Sequence, residues 1–138
     1  MADISPQQRR LVATRAGFCC EYCLIHDDDM FLGCQVDHIV SRKHGGTDDD
    51  ANLAFACAFC NRHKGSDLGS LDGDGRLIRF FNPRIERWAD HFRLAGALIE
   101  PMTGTGEVTA RILELNSPDQ IAERLPLIRQ RRYPRRRS

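Results

Sequence analysis

Two Cys-x-x-Cys pairs, Cys20/Cys23 and Cys57/Cys60, constrain this chain more than any other feature. Each pair places two thiols on a tight turn and so offers half of a tetrahedral shell to zinc; together the pairs fill it. A closed four-thiolate site has no open position for water, so the metal is expected to stabilise the fold and perform no chemistry. Buried thiols or a single redox pair are the rival readings, but a redox motif does not call for a second matching pair. Cys19 and Cys34 are left over and read as small core residues. Cys19 is an alternative to Cys20 as ligand, at a less usual spacing from Cys23.

A length of 138 residues suits one compact domain, so residues 1–138 are expected to form a single unit. With 41% hydrophobic and 28% charged residues, the composition is that of an ordinary globular protein. No window approaches the roughly eighteen apolar residues of a membrane span, and no membrane partner is expected. The opening residues, Met1 to Pro6, lack the basic flank and apolar stretch of a signal peptide, which points to a cytoplasmic location. In a reducing compartment, cysteines serve as metal ligands more readily than as disulfides.

Along the chain, Ser5-Pro6-Gln7-Gln8 reads as a helix start, with Leu11, Val12 and Ala16 as the buried stripe and Gly17 as the stop. A strand is expected from Cys34 to Val40 and a loop around Gly45, Gly46 and Asp48 to Asp50. A second strand should run from Asn52 to Ala56, before a short helix that Gly65 ends. Asp67 to Asp74 reads as a loop. Strand character returns at Leu77 to Phe81 and Ala97 to Met102, and helical spacing over Thr105 to Leu115. Ser117-Pro118 opens a last helix with Ile121, Leu125 and Ile128 inward, which Pro126 should kink or shorten.

Between the cysteine pairs stand Asp37-His38-Ile39, then Gly45-Gly46 and Asn52-Leu53; after the second pair comes Asn61-Arg62-His63-Lys64-Gly65. In this order and spacing, residues 20 to 65 resemble the zinc-bound form of the HNH nuclease family. The resemblance implies a ββα-metal core over about 18–66 with a structural zinc site; with the N-terminal helix, a small α/β C-terminal extension at 76–128 and a basic tail at 129–138, the expected fold is α+β. It also implies a metal-dependent endonuclease that hydrolyses phosphodiester bonds in DNA, nicking one strand or cutting both.

The residue types suit that chemistry. An imidazole with a near-neutral pKa can take the proton of an attacking water, the role expected of His38. A carboxylate and an amide oxygen are hard ligands for Mg²⁺ or a similar divalent ion, the role expected of Asp37 and Asn61. Asn52 resembles the family's middle asparagine, which orients the histidine or its loop. Many relatives carry histidine where this chain has Asn61, and His63 is kept as a weaker candidate ligand. Arg62, His63, Lys64, Arg84 and Arg87 are candidate DNA contacts, although a cation at a helix end also suits the dipole. Trp88, Phe92 and Phe80 read as core, and His91 as structural. The six arginines from Arg129 to Arg137 fit either sequence-independent phosphate contact or a solvated tail. Oligomeric state stays open. The rival function is a zinc-bound nucleic-acid-binding module without catalysis.

Overall fold

In a computed structural model that describes residues 4–135, the first strand β1 (Cys34–His38) pairs antiparallel with β2 (Leu53–Cys57). Met1 to Asp3 and the tail arginines Arg136 and Arg137 lie outside the described residues. Cys34 sits opposite Cys57 and His38 opposite Leu53. The expected first strand stops at His38 because the next backbone groups turn to Asn52: Ile39 N–H donates to its carbonyl, and Val40 N–H to its side chain. Helix α2 (Ala58–Lys64) follows β2 directly, with the Cys57 thiol accepting from Cys60 N–H as its N-cap, and it ends at Gly65. This is the anticipated ββα unit.

All five residues of β2 are buried because both faces of the hairpin are covered. On one face α1 (Pro6–Arg15) packs Val12 and Ala16 against Leu53 and Phe55. Ser5 caps this helix from Gln8 N–H, as its sequence implies. Leu11, expected in the stripe, is exposed. Val12 and Ala16 are one i,i+4 pair, and Leu11 lies about 100° round the helix from Val12. On the other face Ala56 joins a larger core with Cys20, Tyr22, Phe81, Trp88 and Phe92.

The C-terminal extension begins with a hairpin of β3 (Gly69–Leu71) and β4 (Leu77–Arg79), so the segment read as a loop from Asp67 to Asp74 contains a strand. Its glycine and aspartate content belongs to the turn, where the Asp72 carboxylate accepts from the backbone of Asp74 and Arg76. The short helix α3 (Trp88–His91) leads into the hairpin β5 (Phe92–Ala95) and β6 (Leu98–Pro101), then α4 (Gly104–Ile112) and α5 (Pro118–Arg129). Pro126 sits inside α5 without ending it. Its missing N–H concerns only the carbonyl of Ala122, an exposed residue.

The inward face of α5 is also different from the expected one. Gln120 and Arg124 are buried while Leu125 is exposed. The Arg124 guanidinium donates to the carbonyls of Ala97 and Leu115 and to the Asn116 side chain, so its charge is spread over oxygens left at strand and helix ends. The tail is not free either. Tyr133 is buried and its hydroxyl donates to the Cys23 carbonyl at 2.8 Å, while Arg132 and Arg135 both reach Asp29. No helix among the described residues is long and apolar enough to cross a membrane.

Candidate active site

The four cysteines singled out by spacing converge. The sulfurs of Cys20, Cys23, Cys57 and Cys60 all lie within 4.8 Å of one another in a fully buried cluster. Cys23 Sγ and Cys57 Sγ are 3.8 Å apart, and a tetrahedral zinc with Zn–S near 2.3 Å needs sulfurs about 3.8 Å apart. Backbone N–H groups of Cys23 and Cys60 point at Cys20 Sγ and Cys57 Sγ, as thiolates require. The donor set therefore fits zinc. Cys19 is buried and stands outside this cluster, and Cys34 packs at the core edge.

The turn bearing Cys20 and Cys23 is braced by the rest of the chain. Trp88 Nε1 donates to the Tyr22 carbonyl, Tyr133 to the Cys23 carbonyl, and Arg84 pairs with the buried carboxylate of Glu21. Glu21 also accepts from Phe55 N–H on β2. Arg84, a candidate DNA contact by sequence, is thereby paired within the fold.

At the far end of the hairpin, period-two alternation sends Val36 towards α1 and Asp37 towards α2. Asp37 is only 7% exposed, and its Oδ2 lies 3.1 Å from the ammonium of Lys64, itself 2% exposed. The same ammonium donates to the His38 carbonyl at 3.0 Å. Burial pushes the Asp37 carboxyl up, and Lys64 opposes that shift. Lys64, a candidate DNA contact by sequence, is thus an internal partner of the strand end. Asn61 stands one turn earlier on α2, on the same side as Lys64 by the i,i+3 rule.

His38 carries its ring to the loop between the strands, where Nε2 meets Asp48 Oδ1 at 2.8 Å. Arg42 grips the same carboxylate through Nε and Nη2 at 3.0 to 3.1 Å. The His38 contact, then Arg42, hold the Asp48 carboxyl below the usual range. Asn52 staples the loop: its amide donates to the carbonyls of Val40 and Thr47, and its oxygen accepts from Val40 N–H. The paired glycines serve this turn. Gly45 takes φ +85°, and a Cβ on Gly46 would sit 1.7 Å from the Val40 carbonyl oxygen. Asp48 and Arg42 were not singled out from the sequence, because an acid in an acidic loop and an arginine among basic neighbours carry no spacing signal.

This layout of hairpin, short helix and four-cysteine cluster coincides with one family model, HNH endonuclease, which matches residues 20–67. Residues 20–67 are an HNH domain. Comparisons with curated proteins and with solved structures gave no match. Within the HNH domain the remaining candidate contacts divide clearly. Both ring nitrogens of His63 are engaged, Nδ1 with the Phe59 carbonyl at 2.8 Å and Nε2 with Glu114 at 3.0 Å. Arg62 is exposed, its guanidinium 5.7 Å above the Phe59 ring. Arg87, beyond the HNH domain, is exposed at the start of α3. His91 pairs with Glu86 and Thr103, a structural arrangement, and Trp88, Phe92 and Phe80 are core.

Proposed function

We propose that the chain is a metal-dependent DNA endonuclease in which His38 is the general base, Asp37 and Asn61 hold one divalent ion such as Mg²⁺, and Asn52 fixes the loop beside the base. The observation that carries this reading is the clustering of Asp37, His38 and Lys64 at the end of β1, with Asn61 one turn away on the helix that leaves the cysteine cluster. Asp37 Oδ2 is buried with no hydrogen-bond partner although the Lys64 ammonium lies 3.1 Å away, and the carboxylate with the Asn61 amide oxygen is a hard donor pair of the kind Mg²⁺ takes. When bound, such an ion neutralises charge on the phosphoryl and leaving oxygens.

The chain's own residues supply the rest. His38 accepts the proton of the attacking water, with its ring tied to the loop through Asp48. Asn52 keeps Val40 and Thr47 together, so that the loop cannot swing away from the strand end. The exposed cations Arg62, Arg87, Arg129 and Arg131 would meet backbone phosphates at a strength that falls with salt. Residues 1–138 act as one unit in this proposal, with the C-terminal extension bracing the zinc turn through Trp88 and Arg84.

The test is plasmid cleavage. Purified protein with supercoiled DNA and Mg²⁺ or Mn²⁺ should give nicked or linear product that EDTA and His38→Ala abolish. Folded, metal-loaded protein that shifts DNA on a gel yet cuts under no ion would establish a binding module instead.

A further inference from the structure

The loop acid Asp48 is held with unusual care for a residue that is partly exposed. Arg42 makes three contacts to its carboxylate, Gln8 Nε2 donates to its backbone carbonyl at 2.6 Å, and Asn52 takes the carbonyl of Thr47 just before it. Arg42 thus grips the carboxylate while Gln8 and Asn52 hold the backbone that bears it, and the group that this carboxylate presents itself to is the His38 ring, at 2.8 Å from Nε2. Among the described residues no protein group meets the other ring nitrogen, Nδ1.

We infer that Asp48, clamped by Arg42, is the positioning residue of His38: it accepts a hydrogen bond from Nε2–H and so fixes the ring with Nδ1 as the nitrogen that takes the water's proton. This rests on the nuclease reading above. An ionised carboxylate only accepts, so the shared proton belongs to Nε2, and the lone pair of the neutral imidazole is then on Nδ1. In the reaction Nδ1 removes one proton from the attacking water. The remaining hydroxide oxygen bonds to phosphorus, and the opposite P–O bond breaks. Its electron pair stays on the leaving oxygen, which solvent protonates, and the imidazolium returns its proton to solvent. Nothing is oxidised or reduced. Arg42 has a defined part as well: by occupying both carboxylate oxygens it stops Asp48 from rotating out to solvent, so the ring keeps one orientation before substrate arrives.

The experiment combines a spectrum with kinetics. Zinc-loaded protein labelled with ¹⁵N-histidine should show an imidazole Nε2–H cross-peak shielded from exchange, assigned by its absence from His38→Ala, and Asp48→Ala should lose it. In plasmid or oligonucleotide cleavage Asp48→Ala should lower kcat by roughly 10- to 100-fold, as removal of an orienting partner does, and leave KM within about twofold. Asp48→Asn keeps an acceptor oxygen and should recover part of both signals; it also stands in if the alanine variant does not fold. Persistence of the cross-peak in Asp48→Ala, or a wild-type kcat for that variant, overturns the inference. Should the wild-type protein cut no DNA in any ion, the nuclease reading fails, and the cross-peak comparison alone decides whether Asp48 holds the ring.

Discussion

Tyr133 is the residue through which the C-terminal tail can be weighed. It is 5% exposed, its ring lies in the core that contains the four cysteines, and its hydroxyl donates to the Cys23 carbonyl at 2.8 Å. Tyr133→Phe removes one buried hydrogen bond and leaves the ring, a cost of about 1 kcal/mol. Tyr133→Ala removes the ring as well and leaves a cavity against the zinc turn, for about 3–5 kcal/mol in a well-packed site. For a chain of this length each kcal/mol moves Tm by about 3 °C, so the two variants should melt about 3 °C and 9–15 °C below wild type. Thermal unfolding followed by circular dichroism reads both. Because folding and metal binding are linked at such a site, Tyr133→Ala should also surrender its zinc to a chelator at lower chelator concentration. If Tyr133→Ala melts with wild type, the tail is a solvated appendage and its packing against the cysteine turn is refuted.

Lys64→Met leaves the buried Asp37 carboxylate without its cation, and urea unfolding should show a loss of about 3–5 kcal/mol; a loss under about 1 kcal/mol would mean that the pair is not buried in solution. Stripping the metal with a strong chelator should collapse the native signal of Trp88 fluorescence and far-UV dichroism, with recovery on adding Zn²⁺, since the ion that would join the four convergent thiols of the two turns is then lost from the core. An apoprotein that melts where the zinc-loaded protein does would contradict this. Asn52→Ala deletes three hydrogen bonds from one side chain, so the amide of Val40 should exchange faster in deuterium-exchange measurements and cleavage should fall at least about tenfold. Unchanged exchange at Val40 would show that the loop stands without Asn52.

The parts of the fold that could be read from sequence are those written in local chemistry. Ser5-Pro6 and Ser117-Pro118 both open helices because a serine oxygen must take an early N–H and a proline at the first position loses nothing. The cysteine spacing carried the cluster, and Asp37-His38 carried the strand end, because metal geometry restricts residue type and spacing together. What stayed hidden is long-range. Lys64, Arg84 and His63 look like solvent cations on a short helix or turn, and only the fold shows Asp37, Glu21 and Glu114 arriving beside them. Arg124 reads as a polar position on α5, yet the loose carbonyls of Ala97 and Leu115 turn it inward. β5 escaped notice since Phe-Arg-Leu-Ala is too short to show a period. Asp48 gains meaning only when the loop folds back on His38.

Helix α2 shows why these hidden contacts matter to the site. Seven residues are far too few to form a stable helix alone, because nucleation consumes most of what so short a segment can return. Its position is therefore owed to its ends. At the start, Cys57 belongs to the four-sulfur cluster and caps Cys60 N–H; at the finish, Lys64 is pinned to Asp37 and to the His38 carbonyl. Asn61 lies between two anchors, one metallic in character and one ionic, and has little freedom to shift relative to Asp37. Loosening either end should thus act on the same distance between Asn61 and Asp37. A weakened cysteine cluster and a lost Lys64 are expected to resemble each other in their effect on divalent-ion affinity, even though neither change touches the proposed ligands themselves.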